Sequence, residues 1–351
     1  FPSFAMRVFT PEAETIRIGA IYLSIVALSY PLTAVTNVYV AILRSMNYVK
    51  LPVIITIIAI GVNGTLNYGL IFGNFGLPKM GVAGAALATL ISRIIECGAL
   101  LLIIYLHKAG DQGLGDFVHK KYQTKMDGRY QLFNKGFVIK YFKTAFPVIA
   151  NEFMWGLGVT MYSLVYGRMG NAAAAAITIE STVEQGITVF FFGMCASAAV
   201  ILGNVLGSND LEKAQEYAKN FLTLQLCLSI IGSIITIIIR EPVIALFAQS
   251  DLVADYISKT MLVFALLLPI KMINGLIIIA ILRCGGDTKA ALFLDVTAVW
   301  FFGIPMAVLG GLILKLPVYL VFAMVGIEEV YKFILGLIRY RKKKWVRNIV
   351  A

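Results

Sequence analysis

The chain has 351 residues, of which 59% are hydrophobic and 14% charged, with a mean hydropathy of +0.85. That leaves too little polar side-chain material to cover a water-soluble globule of this size, so the composition reads as an all-α polytopic membrane protein. The formal charge of +11 raises nucleic acid as a partner, a class that the placement of the charge excludes below.

Nine apolar spans are predicted in chain order, at residues 19–43, 53–75, 82–106, 146–166, 173–202, 221–239, 261–282, 291–314 and 318–337. Residues 51–78 and 220–239 carry no charge at all. A run of about 20 such residues crosses the hydrocarbon core of a bilayer, and the lack of water there forces the backbone to bond within its own helix. The spans fall into an N-terminal bundle of three over 1–107, a polar cytoplasmic connection over 108–143, a bundle of six over 144–338 and a basic cytoplasmic tail over 339–351.

A repeat links the two bundles. Ile42-Leu43-Arg44 recurs as Ile281-Leu282-Arg283, 239 residues later, and the same offset pairs Lys50 with Lys289, Gly64 with Gly303, Leu77-Pro78 with Leu316-Pro317 and Arg93 with Lys332. Spans one to three thus answer to spans seven to nine, which predicts two pseudo-symmetric bundles of which the first is incomplete. Spans four to six lack partners, so the reading expects about a hundred further residues and three further helices before Phe1.

With the C-terminus cytoplasmic, twenty of the thirty Lys and Arg residues lie on inward segments and seven on outward ones. This is the positive-inside asymmetry of a multi-pass protein in a cytoplasmic membrane. The basic balance therefore reports orientation, and no nucleic-acid partner is implied. Arg341-Lys342-Lys343-Lys344 is expected against anionic headgroups.

Enzyme chemistry is not indicated. No Gly-rich loop ends in Gly-Lys-Ser/Thr. His107 and His119 fall on the polar connection and read as solvated loop residues. Cys97, Cys195, Cys227 and Cys284 show no metal spacing and read as small apolar fillers, so neither metal nor cofactor is expected.

The informative residues are charges inside spans, where an ionisable group costs several kcal/mol unless paired or wetted. Glu152, Glu180, Glu184, Lys271 and Asn274 are all placed near mid-bilayer depth in the second bundle. Glu180 and Glu184 share one helix face, four residues apart. Two carboxylates that close in a poorly hydrated site cannot both ionise cheaply, which is what a proton-coupled carrier needs. The alternative is that both line a wet outer vestibule, and Glu152 has the alternative of a structural hydrogen bond. Lys271 either neutralises one of these acids or touches substrate.

Other charges read as structural pairs: Arg93 with Glu96, and Lys332 with Glu328 and Glu329. Asp295 is expected to complement the start of its helix. Asn63 and Asn67 either line a cavity or stitch helices together. Pro31 and Pro269 precede their respective arginines by thirteen and fourteen residues, and helices broken in corresponding places point to a transport pathway.

The segments GVAGAALATLISR (81–93), ILRCGGDTK (281–289), GNVLGSNDLEKA (203–214) and RYRKKKW (339–345) resemble the multidrug and toxic compound extrusion (MATE) family of secondary transporters. The resemblance implies helices four to twelve of a twelve-helix fold, with two six-helix bundles around a central cavity. It implies export of small organic, cationic compounds across the cytoplasmic membrane in exchange for H+ or Na+, by a monomer whose partners are the lipid bilayer and the substrate. Spans four and seven would be the family's seventh and tenth helices, where some members bind the coupling ion through carboxylates. Glu152 fits the first; Lys271 and Asn274 depart from the second, and Asn67 stands where some members carry an acid. A flippase for lipid-linked intermediates and a non-transporting scaffold are the competing readings; the flippase would favour a strongly basic cavity.

Overall fold

The computed structural model describes residues 2–9, 13–45, 48–106, 135–248 and 250–347. His107, His119 and residues 108–134 of the expected connection lie outside them, as does the end of the tail. Among the described residues all regular structure is helical, in two units that divide between Phe133 and Asn134. The division falls inside the expected connection, and residues 135–143 of that stretch belong to a helix.

The first unit holds α1 (Pro2–Phe9), α2 (Ala13–Ala27), α3 (Ser29–Ser45), α4 (Lys50–Phe72) and α5 (Val82–Leu106). α5 packs against α2, α3 and α4 around Leu43, Ile55, Leu100 and Ile104. α2 and α3 form one span bent by 41°. The bend has a local cause: Pro31 has no N–H to give the carbonyl of Ala27, the residue at which α2 stops. Asn67 Nδ2 donates to Asn63 Oδ1 at 2.9 Å, and Asn63 Nδ2 to Ser92 Oγ at 3.1 Å, so the two asparagines stitch α4 to α5. Arg93 and Glu96 pair at 2.5 Å on α5, and Thr56 of α4 donates to the same carboxylate at 3.0 Å.

The α4–α5 crossing is close because of Gly84. A Cβ there would stand 2.6 Å from the carbonyl oxygen of Leu70, inside any tolerable contact. Gly84→Ala is expected to lower stability by about 1–3 kcal/mol through forced separation of the two helices. Thermal unfolding in detergent checks this, and an unchanged melting temperature would contradict it.

The second unit holds α6 (Lys135–Arg168), α7 (Asn171–Gly207), α8 (Leu211–Phe247) and α9 (Asp251–Gly275), which continues through π turns over Leu276–Leu282. α10 (Thr288–Thr297), α11 (Ile304–Val308), α12 (Val318–Val325) and α13 (Ile327–Arg341) follow, with π turns over Ala298–Gly303 and Leu309–Ile313 on either side of α11. α9 is central, touching α7, α8, α12 and α13. It runs unbroken through Pro269, so the expected break is absent there and the irregularity falls about two to three and a half turns later, in the π stretch.

The unit is arranged for lipid rather than water. Ile230, Ile231, Ile234, Ile235 and Ile238 of α8 are exposed, whereas Gln225, Ser229, Gly232 and Thr236 face α9. Small residues at this spacing let helices approach where lipid gives no hydrophobic drive for association, and Gln225 Nε2 donates to the Met272 carbonyl at 3.0 Å across the seam. Among the described residues of both units, seven helices are long and apolar enough to cross a membrane, or eight with the bent α2–α3 pair. The ninth expected span is two shorter helices of 8 and 15 residues meeting at Gly326, because Glu328, Glu329 and Lys332 interrupt the apolar run.

The 239-residue offset is visible as equivalent contacts. Asn63 bonds Ser92 in the first unit, and at the matching positions of the second Phe302 meets Tyr331 in a tilted ring contact with centroids 4.5 Å apart.

After α13 the chain turns back. Arg339 Nε and Nη2 grip the carboxylate of Asp287 at 2.5 and 2.8 Å, and Arg347 donates to the carbonyls of Gly285 and Gly286 at 2.8 and 2.6 Å. Trp345 is 1% exposed against this loop, stacked on Tyr340. Only glycine fits at 285, where a Cβ would lie 1.9 Å from the Trp345 carbonyl oxygen.

Candidate functional site

α9 carries Lys271 and Asn274 three residues apart, so their side chains leave the helix on one face. Toward α7, the Lys271 ammonium pairs with the Glu184 carboxylate. Glu180 stands one turn away on α7 and is 1% exposed, with Oε1 buried and without a hydrogen-bond partner. Toward α13, Asn274 Nδ2 donates to the backbone oxygen and the Oε2 of Glu329 at 2.8 and 2.7 Å.

Glu329 in turn holds Lys332 at 2.7 Å, and Glu328 stands 3.7 Å from the same ammonium. Tyr162 of α6 donates to Glu328 Oε2 at 2.5 Å. Asp295 of α10 lies within electrostatic reach of Lys332 and accepts from Asn151 of α6 at 2.9 Å. Five carboxyl groups thus stand near two ammonium groups on α7, α9, α10 and α13, with Tyr162 and Asn151 reaching in from α6 and the Arg283 guanidinium also within electrostatic reach of Asp295. Such a group has more acid than its own bases neutralise. Full ionisation of so many acids in a poorly hydrated place is costly.

The structure brings Glu180, Glu184, Lys271 and Asn274 together, and it joins them to Glu328 and Lys332 through Glu329. It does not bring Glu152 to them. That side chain is 56% exposed and pairs with Arg283 Nη2 at 2.8 Å, a partner near the end of the α9 π stretch. In the first unit Asn63 and Asn67 form one hydrogen-bonded set with Ser92, and Arg93 and Glu96 form another with Thr56. Asp295 corrects the expectation of a helix-start charge: it lies inside α10, and its partner is a side chain of α6. Sequence reasoning missed Tyr162 and Asn151, which lie 166 and 144 residues from their partners and leave no local spacing to read.

The sequence profile of the MatE family matches residues 1–69 and 147–309. The uncharacterized transporter YisQ of Bacillus subtilis is 26% identical over 325 residues, 91% of this chain and 67% of its own length. A probable multidrug resistance protein NorM of Thermotoga maritima is 25% identical over 328 residues, 90% of this chain and 65% of its own. The chain therefore spans about two thirds of the length of these relatives. Among solved structures, a Vibrio cholerae MATE transporter superposes with a TM-score of 0.79 over 98% of this chain and 74% of that one, at 16% identity. A MOP superfamily transporter from Pyrococcus furiosus gives 0.78 over 97% and 73%, at 17% identity. The structural likeness carries the fold and the profile carries the kinship, since it matches segments of both units and takes in Glu180, Glu184 and Lys271: the chain belongs to the MatE family.

Proposed function

We propose that the protein is a secondary active transporter that exports small organic cations across the cytoplasmic membrane in exchange for H+ or Na+, acting as a monomer with its C-terminus in the cytoplasm. The observation that carries this reading is the acid-rich network of the second unit, above all Glu180, a carboxyl group that is buried with an unanswered oxygen beside the Glu184–Lys271 pair. A fold that needed only stability would be served as well by apolar packing at this position. The balance of five acids against two lysines favours a cationic cargo over an anionic, lipid-linked one. Relatives described as multidrug resistance proteins support the same substrate class.

Uptake into inverted membrane vesicles under separately imposed proton and sodium gradients tests the reading. One of the two gradients should drive accumulation of a fluorescent organic cation, and Glu180→Gln with Glu184→Gln should reduce it at least tenfold. An amide keeps the shape of the carboxyl group but neither releases a proton nor carries charge. Undiminished accumulation in the folded double variant would place the coupling elsewhere, with Glu152 the next acid to replace.

A further inference from the structure

Within the network the acids are not equivalent. Glu184, Glu328 and Glu329 each face an ammonium group, and Asp295 accepts from Asn151. Glu180 alone has a buried carboxyl oxygen without a donor among these acids. The Glu184–Lys271 pair is less covered, with side chains 20% and 35% exposed, whereas Glu180 is buried. Lys271 lies within electrostatic reach of Glu180, Glu328 and Glu329 as well as Glu184. Of those three alternatives Glu329 is already held by Lys332 and Asn274, and Glu328 by Lys332 and Tyr162. Glu180 is the one left with an unanswered oxygen.

We propose that Lys271 is a tethered stand-in for the transported cation, resting on Glu184 and passing to Glu180 when an organic cation takes its place. The inference rests on the cation-export reading and specifies how its site is coupled. At rest Glu180 holds its proton, and the Glu184 carboxylate is balanced by the Lys271 ammonium, for a net charge of zero. An incoming monovalent cation then pairs with Glu184. The Lys271 ammonium moves to Glu180, the Glu180 O–H bond breaks, and the proton leaves to water. Two carboxylates now face two positive charges, and the net charge is again zero. One proton is released for each cation bound, with no charge left uncompensated in a poorly hydrated place.

Other groups frame this exchange without taking part in it. Tyr166 of α6 lies within electrostatic reach of Glu180, Glu184 and Glu328. Tyr162, Glu328, Glu329, Lys332 and Asp295 form the neighbouring set on α6, α10 and α13, where Lys332 is the fixed counter-ion. Removing the tethered competitor should therefore help the cargo bind, which a purely structural counter-ion would not do.

The test uses the purified protein in weakly buffered detergent solution with a pH indicator, and tetraphenylphosphonium as a permanently charged probe. The wild type should release about one proton per cation bound, and affinity should fall about tenfold per unit decrease in pH while Glu180 takes up its proton. Lys271→Met should bind the probe about tenfold or more tightly, and Lys271→Arg should restore the wild-type affinity and proton count. Glu180→Gln should still bind, more weakly and with no proton released. Binding by the wild type without proton release, or no tightening in a folded Lys271→Met protein, overturns the proposal while leaving cation export intact. Failure of the wild type to bind the probe at all would instead remove the cation-export reading, and this proposal with it.

Discussion

Lys332→Met should destabilise the protein by about 3–5 kcal/mol, the range for breaking a buried ion pair by removing one partner. The ammonium group of Lys332 is buried between Glu328 and Glu329, at 3.7 and 2.7 Å, with Asp295 also in reach. Methionine fills the same volume but leaves the carboxylates without their cation in a medium that solvates them poorly. Adding Glu329→Gln should recover part of the loss, since the uncompensated charge is what costs stability and not the missing contact. Chemical unfolding in a single detergent measures both variants. A single-variant loss below about 1 kcal/mol would mean that water or protons already satisfy these acids.

Trp345→Ala is the second large effect, at about 3–5 kcal/mol by analogy with other buried aromatic truncations. Trp345 is among the largest fully buried side chains and lies against the loop between α9 and α10. Its indole N–H donates to the Tyr340 carbonyl at 3.2 Å. Its loss opens a cavity under the tail and loosens the two arginine clasps on Asp287, Gly285 and Gly286. Limited proteolysis after Lys342, Lys343 and Lys344 should become faster together with the fall in stability. An unaltered melting temperature would show that the tail is only draped on the helices.

How much of this was legible in the chain depends on the range of the interaction. Helices and the duplication were readable because apolar runs and a fixed offset are properties of one strand of text. The Arg93–Glu96 and Lys332–Glu329 pairs were readable because three residues on a helix bring side chains to one face. Glu180, Glu184 and Lys271 stood out because charge in a span is rare. That Lys271 neutralises one of the span acids was one of two readings of the chain; which acid it meets, and the joining of Tyr162 to Glu328 and of Asn151 to Asp295, were not readable, since tertiary packing alone sets those contacts across 87, 166 and 144 residues. Pro269 misled for a related reason. A proline removes one hydrogen bond, and whether the helix bends depends on its neighbours, which for α9 are α7, α8, α12 and α13.

The contact shared by positions 63 and 92 and by 302 and 331 also bears on how chemistry is divided along the chain. A hydrogen bond occupies the first pair and a tilted ring contact the second, so the helix crossing tolerates either and dictates neither. The same freedom holds at position 56, a threonine whose counterpart is Asp295. Once a scaffold has been copied, each copy can drift in polarity at matched sites without disturbing its geometry. The copies thus differ in emphasis, with bonded asparagines and a single ion pair among the described residues of one and a larger gathering of ionisable groups in the other.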